Sequence, residues 1–301
     1  MRVLLLGASG FLGRHVDEAL TAGPEFEVVR QVHRAAGDHG AISLDLVEAG
    51  DSLASLIADT APDAVVNCVG TTEDRTQLEA LNVRLVANLV EVLRTVTPRI
   101  RLVHLGSAAE YGPTPEGVPI AESSTARPAS PYGAAKLAAT ALVAASVERG
   151  LDGLVLRVFN PIGAGMSPAS LPGNAARRLR EAMANGSSVV SLGPLGDWRD
   201  FLAASDVGGA VVAALRAPGL GEPIVNIGRG EATQVRQVVR QLAVIARFDG
   251  EVREDAPPSS RSAAVPWQQA DTTLARTRLG WQVRRPLDQA LGELWESVAD
   301  S

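Results

Sequence analysis

The sequence at residues 1–13, MRVLLLGASGFLG, runs from a short, mostly apolar stretch straight into three glycines at positions 7, 10 and 13. The stretch at 2–6 predicts a buried β-strand, and the glycines predict a tight turn that opens a helix. Such a turn lets the backbone approach a pyrophosphate, which then lies at the positive N-terminus of the helix. We therefore expect a dinucleotide site, although the spacing is G-x-x-G-x-x-G rather than G-x-G-x-x-G. Its predicted contacts are Gly7, Ser9, Gly10, Phe11, Leu12 and Gly13.

Outward from this turn, short β-branched runs alternate with helical stretches, which is the pattern of a parallel sheet covered by helices. The predicted strands are residues 2–6, 27–32, 64–69, 101–106 and 153–158, and the predicted helices are residues 10–22, 78–95 and 132–149. After Asn160 the alternation gives way to prolines and further glycines. We therefore expect an α/β protein with a doubly wound parallel sheet at 1–160 plus about 197–230. A smaller C-terminal substrate-binding lobe is expected at about 161–196 and 231–301.

The composition is that of a globular protein, with 46% hydrophobic and 21% charged residues among 301. A net charge of −6 gives no support to nucleic-acid or membrane binding. The lone cysteine, Cys68, excludes an intramolecular disulfide and fits a reducing cytoplasm, and we interpret it as a packing residue. The apolar run at 3–6 is too short for a signal sequence or a membrane span, so we expect a cytoplasmic protein. No metal ion is expected.

The second predicted strand leads into His33 and Arg34, where an NAD site usually carries an acid that binds the ribose 2′-hydroxyl. No acid occurs at this point. A guanidinium matches a 2′-phosphate through paired hydrogen bonds, so these two residues favour NADP(H) over NAD(H). Asp45 and Leu46 follow the next predicted strand region and are placed to reach the adenine ring.

The chain keeps a single lysine, Lys136, four residues after Tyr132, which is one of only two tyrosines. All the remaining basic residues, out of 28 Lys and Arg, are arginine. The retained lysine indicates that position 136 requires a compact ammonium. Residues i and i+4 share one face of a helix, so the ammonium is expected beside the phenol. Because a neighbouring cation favours the phenolate, Tyr132 is a candidate general acid and base with Lys136 as its partner.

Together with the segment HLGSAAEYG at 104–112, these features resemble the extended short-chain dehydrogenase/reductase family. Within it they are most similar to the nucleotide-sugar epimerases, dehydratases and 4-ketoreductases, from residue 1 to about Trp281. The resemblance implies a Rossmann fold and a catalytic Ser107, whose hydroxyl hydrogen-bonds the substrate oxygen and holds the carbonyl against Tyr132. It also implies that Tyr132 and Lys136 contact the cofactor, with Lys136 on the nicotinamide ribose hydroxyls.

Three further segments resemble the substrate-binding parts of that family: RVFNP at 157–161, WRDF at 198–201, and SRS at 260–262 followed by LGW at 279–281. The resemblance implies that Asn160 contacts the sugar and that Arg199 and Arg261 hold a diphosphate. A guanidinium suits that task, because its N–H groups pair with phosphate oxygens. The implied substrate is a nucleoside-diphosphate sugar.

One departure from the family bears on the reaction. Its dehydratases carry an Asp-Glu pair after the catalytic hydroxyl residue, and here the two positions are Ala108 and Ala109, which cannot transfer a proton. The resemblance therefore implies NADPH-dependent reduction of a nucleotide-linked 4-keto-6-deoxyhexose, a step of deoxysugar biosynthesis. The alternatives are a 4-epimerase with bound NAD, a reductase of a non-sugar carbonyl, and a non-catalytic NADP-sensing protein. His104, before the serine, is interpreted as a core or supporting residue.

The predicted helix at 132–149 is rich in alanine, and small residues let helices approach closely. Members of the family often dimerise through this helix and the one predicted at 78–95, so the resemblance implies a homodimer. Helix propensity alone also accounts for the alanines.

Overall fold

Seven parallel strands form the central sheet of the protein. The computed structural model describes residues 1–33, 41–46, 50–72, 76–96, 100–219, 221–257 and 265–298. The strands of the large sheet are β1 (Arg2–Leu6), β2 (Glu27–Val32), β3 (Ile42–Ser43), β4 (Ala64–Asn67), β5 (Arg101–Ser107), β6 (Gly153–Val158) and β11 (Ile224–Ile227). The short strands of three smaller pairs are β7 (Pro161–Ile162), β8 (Val189–Ser191), β9 (Trp198–Asp200), β10 (Leu202–Ala203), β12 (Ala232–Gln234) and β13 (Glu251–Arg253).

The strand order is β3-β2-β1-β4-β5-β6-β11. Successive strands are added on one side of β1 up to β3 and on its other side from β4 onward, so the order of addition reverses between β1 and β4. This is the doubly wound order of the Rossmann fold, and ligands bind such sheets at the carboxyl ends of the strands next to the reversal. The predicted fold class is therefore confirmed. The glycine turn follows β1, directly beside this point.

Ten helical segments among the described residues connect and cover these strands. They are α1 (Phe11–Thr21), α2 (Gly50–Thr60), a π-helical turn (Ala80–Arg84) that runs into α3 (Leu85–Val96), α4 (Pro131–Val147), α5 (Leu171–Ala184), α6 (Ala204–Arg216), α7 (Val235–Ile245), α8 (Thr273–Leu279) and α9 (Leu287–Ser297). A short 3₁₀ turn (Ala108–Glu110) follows β5 directly. No helix of the described ranges is both long and apolar enough to cross a membrane.

The two faces of the sheet belong to separate apolar clusters, because successive side chains of a strand point to opposite faces. In β1, Val3 and Leu5 pack with α1 and α6, while Leu4 and Leu6 pack with α2, α3 and α4. All four side chains are fully buried. A central strand of a parallel sheet is covered on both faces, which is why the run reads as apolar without alternation.

A third apolar cluster lies outside the sheet and is built by α5, α7, α9 and the short strands between them. Helices α7 and α9 pack on each other, and α5 packs against both. Helix α8, by contrast, contributes Ala275 and Leu279 to the sheet cluster with α6. We propose that the third cluster is the core of the predicted smaller lobe; the division of the chain into the predicted residue ranges stays a prediction.

The strands at 2–6, 27–32 and 153–158 have the predicted bounds, and the predicted helix at 132–149 is α4. The strand predicted at 64–69 ends at Asn67, because the amide hydrogen of Val69 donates to the Asn67 side chain at 3.0 Å and turns the chain. The predicted helix at 78–95 contains the π-helical turn. The elements that were not predicted are α2, α5 to α9, the short strands of the smaller pairs and the edge strand β11. β11 is only four residues long and forms through its pairing with β6.

Candidate active site

A cleft of about 450 Å³ opens at the carboxyl ends of β5 and β6. Its walls include Ser107, Tyr132, Asn160 and Arg199, so four of the side chains predicted for catalysis and substrate binding face one space. Phe11 and Leu12 also line it, next to the glycine turn. Ser107 and Asn160 come together because parallel strands end at the same edge of a sheet, whereas Arg199 comes from β9, outside that sheet.

Ser107 is held in place by the turn that ends β5. Its Oγ accepts the amide hydrogen of Ala109 at 3.2 Å, and its own amide hydrogen donates to Oε1 of Glu110 at 2.8 Å. This reciprocal arrangement satisfies two backbone groups at a helix start. Since the hydroxyl oxygen already accepts one hydrogen bond, its proton is left to donate into the cleft.

Tyr132 stands in the first turn of α4, as predicted from its spacing to Lys136. Ser130 begins the helix, and its Oγ accepts the amide hydrogen of Gly133 at 3.1 Å. Pro131 occupies the first helical position, where its missing N–H has no cost. The tyrosine is half-buried and lines the same cleft as Ser107.

Lys136 lies one turn along α4 and is buried, with 5% of its surface exposed. Its Nζ donates to the carbonyl oxygen of Leu105 on β5 at 2.9 Å. Burial lowers the pKa of the ammonium to about 8, against the opposing effect of the Glu110 carboxylate. The one lysine of the chain is therefore a buried cation next to the strand that carries Ser107.

Substitution of this lysine gives a stability test. We expect Lys136→Met to stabilise the protein at pH 7, because keeping a proton on an amine with a pKa of about 8 rather than 10.5 costs the folded state on the order of 3 kcal/mol. Loss of the hydrogen bond to Leu105 offsets about 1 kcal/mol of this gain. The cost is complete below pH 8 and disappears between pH 8 and 10.5, where the unfolded chain binds the proton more tightly.

Urea unfolding at pH 7 and pH 10 measures this difference. The methionine variant should be more stable by about 2 kcal/mol at pH 7 and no more stable at pH 10. Equal stabilisation at both values would mean that side-chain packing, and not the buried charge, is responsible.

Gly133 lets α4 approach the turn after Ser107. A Cβ at this position would lie 2.4 Å from the carbonyl oxygen of Ala109 and 3.0 Å from the Cβ of Pro128. We expect Gly133→Ala to push Tyr132 away from Ser107 and to lower activity about 100-fold, since a displacement of about 1 Å has effects of that size. The variant should also lose stability, although alanine is the better helix former.

Gly209→Ala is the matched control for this substitution. Gly209 also lies within a helix, α6, but a Cβ there would meet its nearest neighbour, Nε1 of Trp281, at 3.6 Å. This control should keep full activity and equal or higher stability. Steady-state rates and thermal unfolding of both variants distinguish the close contact from a general effect of alanine.

A buried network that sequence reasoning missed supports the end of β5. Nε of Arg157 on β6 donates to Oε2 of Glu110 at 2.6 Å, with 4% and 0% of the two side chains exposed. The Arg157 guanidinium lies over the ring of Tyr111 at 4.6 Å, and the Tyr111 hydroxyl donates to Asn226 on β11 at 2.7 Å. Only the three-dimensional pairing of β5, β6 and β11 brings these residues together.

Six of the predicted cofactor residues line a second cavity, of about 240 Å³, at the ends of β1, β2 and β4, whereas Phe11, Leu12 and Tyr132 line the cleft. Gly7, Ser9 and Gly10 line it from the glycine turn, and His33, Asp45 and Leu46 line its far side. Gly13 packs α1 against the turn, because a Cβ there would lie 2.0 Å from the Gly7 carbonyl oxygen. These residues fit a dinucleotide: the loop is free of large side chains and opens a helix toward the cavity.

Gln31 is a residue of this cavity that sequence reasoning missed. It is almost fully buried; its Oε1 accepts the amide hydrogen of Gly7 at 3.0 Å and its Nε2 donates to the Leu44 carbonyl at 2.7 Å. It thus ties the glycine turn to the chain after β3. The available signal was an uncharged polar residue directly before Val32, in a strand whose other polar residues, Glu27 and Arg30, are ionisable.

The residues that favoured NADP(H) are only partly described. His33 is exposed, and its Nδ1 lies 3.9 Å from Oδ2 of Asp45. Arg34 lies outside the described residues, so the preference for NADP(H) stays a prediction.

Of the two residues interpreted as packing, His104 is buried and Cys68 is partly buried, and the charge of Lys136 acts on both. His104 is fully buried, and its Nδ1 lies 3.2 Å from Nδ2 of Asn67. Burial and the Lys136 charge hold the pKa of this imidazole well below its usual value, so it is neutral. Burial raises the pKa of the Cys68 thiol to about 12, although the side chain borders the cofactor cavity. Neither residue has the properties of a proton donor or nucleophile at neutral pH.

The predicted substrate residues occupy the other wall of the cleft. Nδ2 of Asn160 donates to the carbonyl oxygen of Asp200 at 3.0 Å, which fixes the amide at the end of β6. Arg199 lies on β9 with 13% of its side chain exposed. Arg261 lies outside the described residues, so its predicted role is untested.

Comparison with known proteins agrees with this geometry. Residues 3–228 match the NAD dependent epimerase/dehydratase family. The chain is 37% identical to the dTDP-6-deoxy-L-talose 4-dehydrogenase (NAD(P)(+)) of Kitasatospora kifunensis, over 98% of this chain and 94% of that protein. It is 28% identical to the GDP-6-deoxy-D-mannose reductase of Pseudomonas aeruginosa, over 98% and 97%.

The structure of RMD from Pseudomonas aeruginosa complexed with NADPH superimposes with a TM-score of 0.84 at 26% identity, covering 99% of this chain and 97% of that one. Several UDP-glucose 4-epimerases are also similar. The chain therefore belongs to the NAD dependent epimerase/dehydratase family. The predicted membership of the extended short-chain dehydrogenases/reductases, and with it the class of nicotinamide-dependent enzyme, is confirmed.

Proposed function

We propose that this enzyme reduces a nucleotide-linked 4-keto-6-deoxyhexose with NADPH. The observation that carries the proposal is that Ser107 and Tyr132 face the same cleft as Asn160 and Arg199, with Lys136 buried one turn from the tyrosine. That set combines a proton donor, a hydrogen-bond donor for a carbonyl oxygen and a phosphate-binding guanidinium.

In this mechanism the chain's own residues bind, orient and protonate. Ser107 donates its free hydroxyl hydrogen to the C4 oxygen, and Tyr132 transfers its phenolic proton to the same oxygen as negative charge develops there. The Lys136 ammonium stabilises the phenolate that remains. A reduced nicotinamide, when bound, supplies the hydride. The residues that would hold it are the glycine turn at 7–13 and the residues lining the cavity beside it.

Two features support a reductase of 6-deoxyhexoses over other reactions of the family. Ala108 and Ala109 follow Ser107 and line the cleft, so neither of these two positions supplies a carboxyl group for the elimination of water. Among the relatives, one is named for dehydrogenation at C4 of a dTDP-6-deoxyhexose and one as a GDP-6-deoxyhexose reductase. Reduction at C4 is the reverse of the first of these reactions.

NADPH is the proposed reductant for two reasons. No acid stands at His33 or Arg34 to bind a ribose 2′-hydroxyl. A structural relative, RMD, was solved with NADPH. The nucleotide of the substrate is proposed to be dTDP or GDP, as in the two relatives.

Loss of NADPH absorbance with dTDP- and GDP-linked 4-keto-6-deoxyhexoses tests the proposal, with Tyr132→Phe as the control. Rapid oxidation that the variant lacks supports the reductase and identifies the nucleotide. Oxidation with neither sugar contradicts it. Tightly bound NAD together with interconversion of C4 epimers would then favour the epimerase.

We further propose a homodimer formed through α3 and α4, in the cytoplasm. The exposed alanines of α4, Ala134 and Ala141, would let a second copy approach closely. Analytical ultracentrifugation gives the mass in solution.

A further inference from the structure

The cleft contains one ion pair formed by two of its own wall residues. Nη2 of Arg199 donates to Oδ2 of Asp197 at 3.1 Å, and 13% and 30% of the two side chains are exposed. Among the described residues that line the cleft, these two are the one acidic and the one basic side chain. The described wall is therefore electrically neutral, although its proposed ligand carries two negative charges on its diphosphate.

The protein uses only some of the N–H donors of the Arg199 guanidinium. Nη1 donates to the carbonyl oxygen of Trp198 at 2.8 Å and Nη2 to Asp197. A guanidinium has five N–H donors, so three are left for a ligand. The carboxylate of Asp197 and a bound phosphate would then contact one guanidinium from different sides, and their negative charges would repel each other.

We propose that Asp197 competes with the substrate diphosphate for Arg199. The Asp197 carboxylate thereby lowers the affinity of Arg199 for the diphosphate and speeds release of the product. The proposal rests on the proposed function, in which Arg199 binds that diphosphate. Two like charges in a half-buried site are screened less than on an open surface. Removing the carboxylate charge should therefore tighten binding, and more strongly for a ligand of higher charge.

Asp197→Asn tests this with little change of shape, because the amide oxygen still accepts from Arg199. Isothermal titration with dTDP and GDP should give a Kd about tenfold lower in the variant, and with dTMP and GMP a smaller change. The KM for the nucleotide sugar should fall with the Kd, while kcat falls if product release limits turnover. Asp249→Asn removes the same charge from an exposed position and should leave the Kd, the KM and kcat unchanged.

Several results would overturn the inference. An unchanged or higher Kd in Asp197→Asn would mean that the carboxylate only orients Arg199, and recovery by Asp197→Glu would support that role. The inference also fails if Arg199→Ala binds dTDP and GDP as tightly as the unmodified protein does. It fails as well if the unmodified protein binds neither nucleotide. If Asp197→Asn tightens binding but no 4-keto sugar is reduced, the inference stands and the proposed function fails.

Discussion

Tyr132→Phe should lower kcat for ketone reduction by about 1000-fold, the scale on which a positioned proton donor contributes. The phenol lines the cleft beside Ser107 and stands in the first turn of α4, which Ser130 and Pro131 begin without help from its hydroxyl. Phenylalanine keeps the ring and removes only the transferable proton. Single-turnover rates with saturating cofactor and substrate measure this step without interference from product release.

Cofactor binding and folding are the controls for this variant. NADPH affinity, followed by fluorescence, and the midpoint of thermal unfolding should both stay close to those of the unmodified protein. A variant that retains more than a tenth of the rate would show that another group protonates the C4 oxygen. Ser107 would then be the next residue to replace, because its hydroxyl faces the same cleft.

Glu110→Ala should lower the free energy of unfolding by about 3–5 kcal/mol. The carboxylate is fully buried and serves two partners, the Arg157 guanidinium and the amide hydrogen of Ser107. Its removal leaves a buried cation and a buried N–H without an acceptor, which costs more than the loss of an ordinary contact. Activity should fall as well, because the position of Ser107 depends on the same carboxylate.

Urea unfolding of Glu110→Ala and of Glu181→Ala distinguishes the loss of a buried ion pair from the loss of an exposed one. Glu181 also pairs with an arginine, Arg177 on α5, but about half of each side chain is exposed, and such pairs contribute little. Glu181→Ala should therefore leave stability and activity nearly unchanged. Equal losses in the two variants would contradict the assigned importance of the buried pair.

Local sequence signals were enough to predict the parts of the protein whose structure is determined by residues close together in the chain. The glycine turn and the Tyr132–Lys136 pair each lie within a short segment, and α1 begins and ends within one residue of the predicted 10–22. The start of α4 follows from Ser130 and Pro131, whose capping chemistry is local. Such features can be predicted because their physical causes are contained in the segment itself.

Other parts of the site could not be predicted because they depend on contacts between distant segments. Glu110 looks like an ordinary solvated acid in the sequence, and only the pairing of β5 with β6 places Arg157 against it. Gln31 acquires its role from Gly7 and Leu44, which lie on either side of β2. Topology, rather than composition, decides which polar residues become partners.

The burial of Lys136 also governs how the protein reacts with amine-directed reagents. This residue is the one lysine of the chain, and 5% of its surface is exposed. Acylating and reductive-methylating reagents therefore meet no accessible lysine in the folded protein at neutral pH, where the amine is largely protonated and unreactive. Modification of Lys136 would report opening of the α4 region, and the extent of labelling would measure local unfolding of this helix.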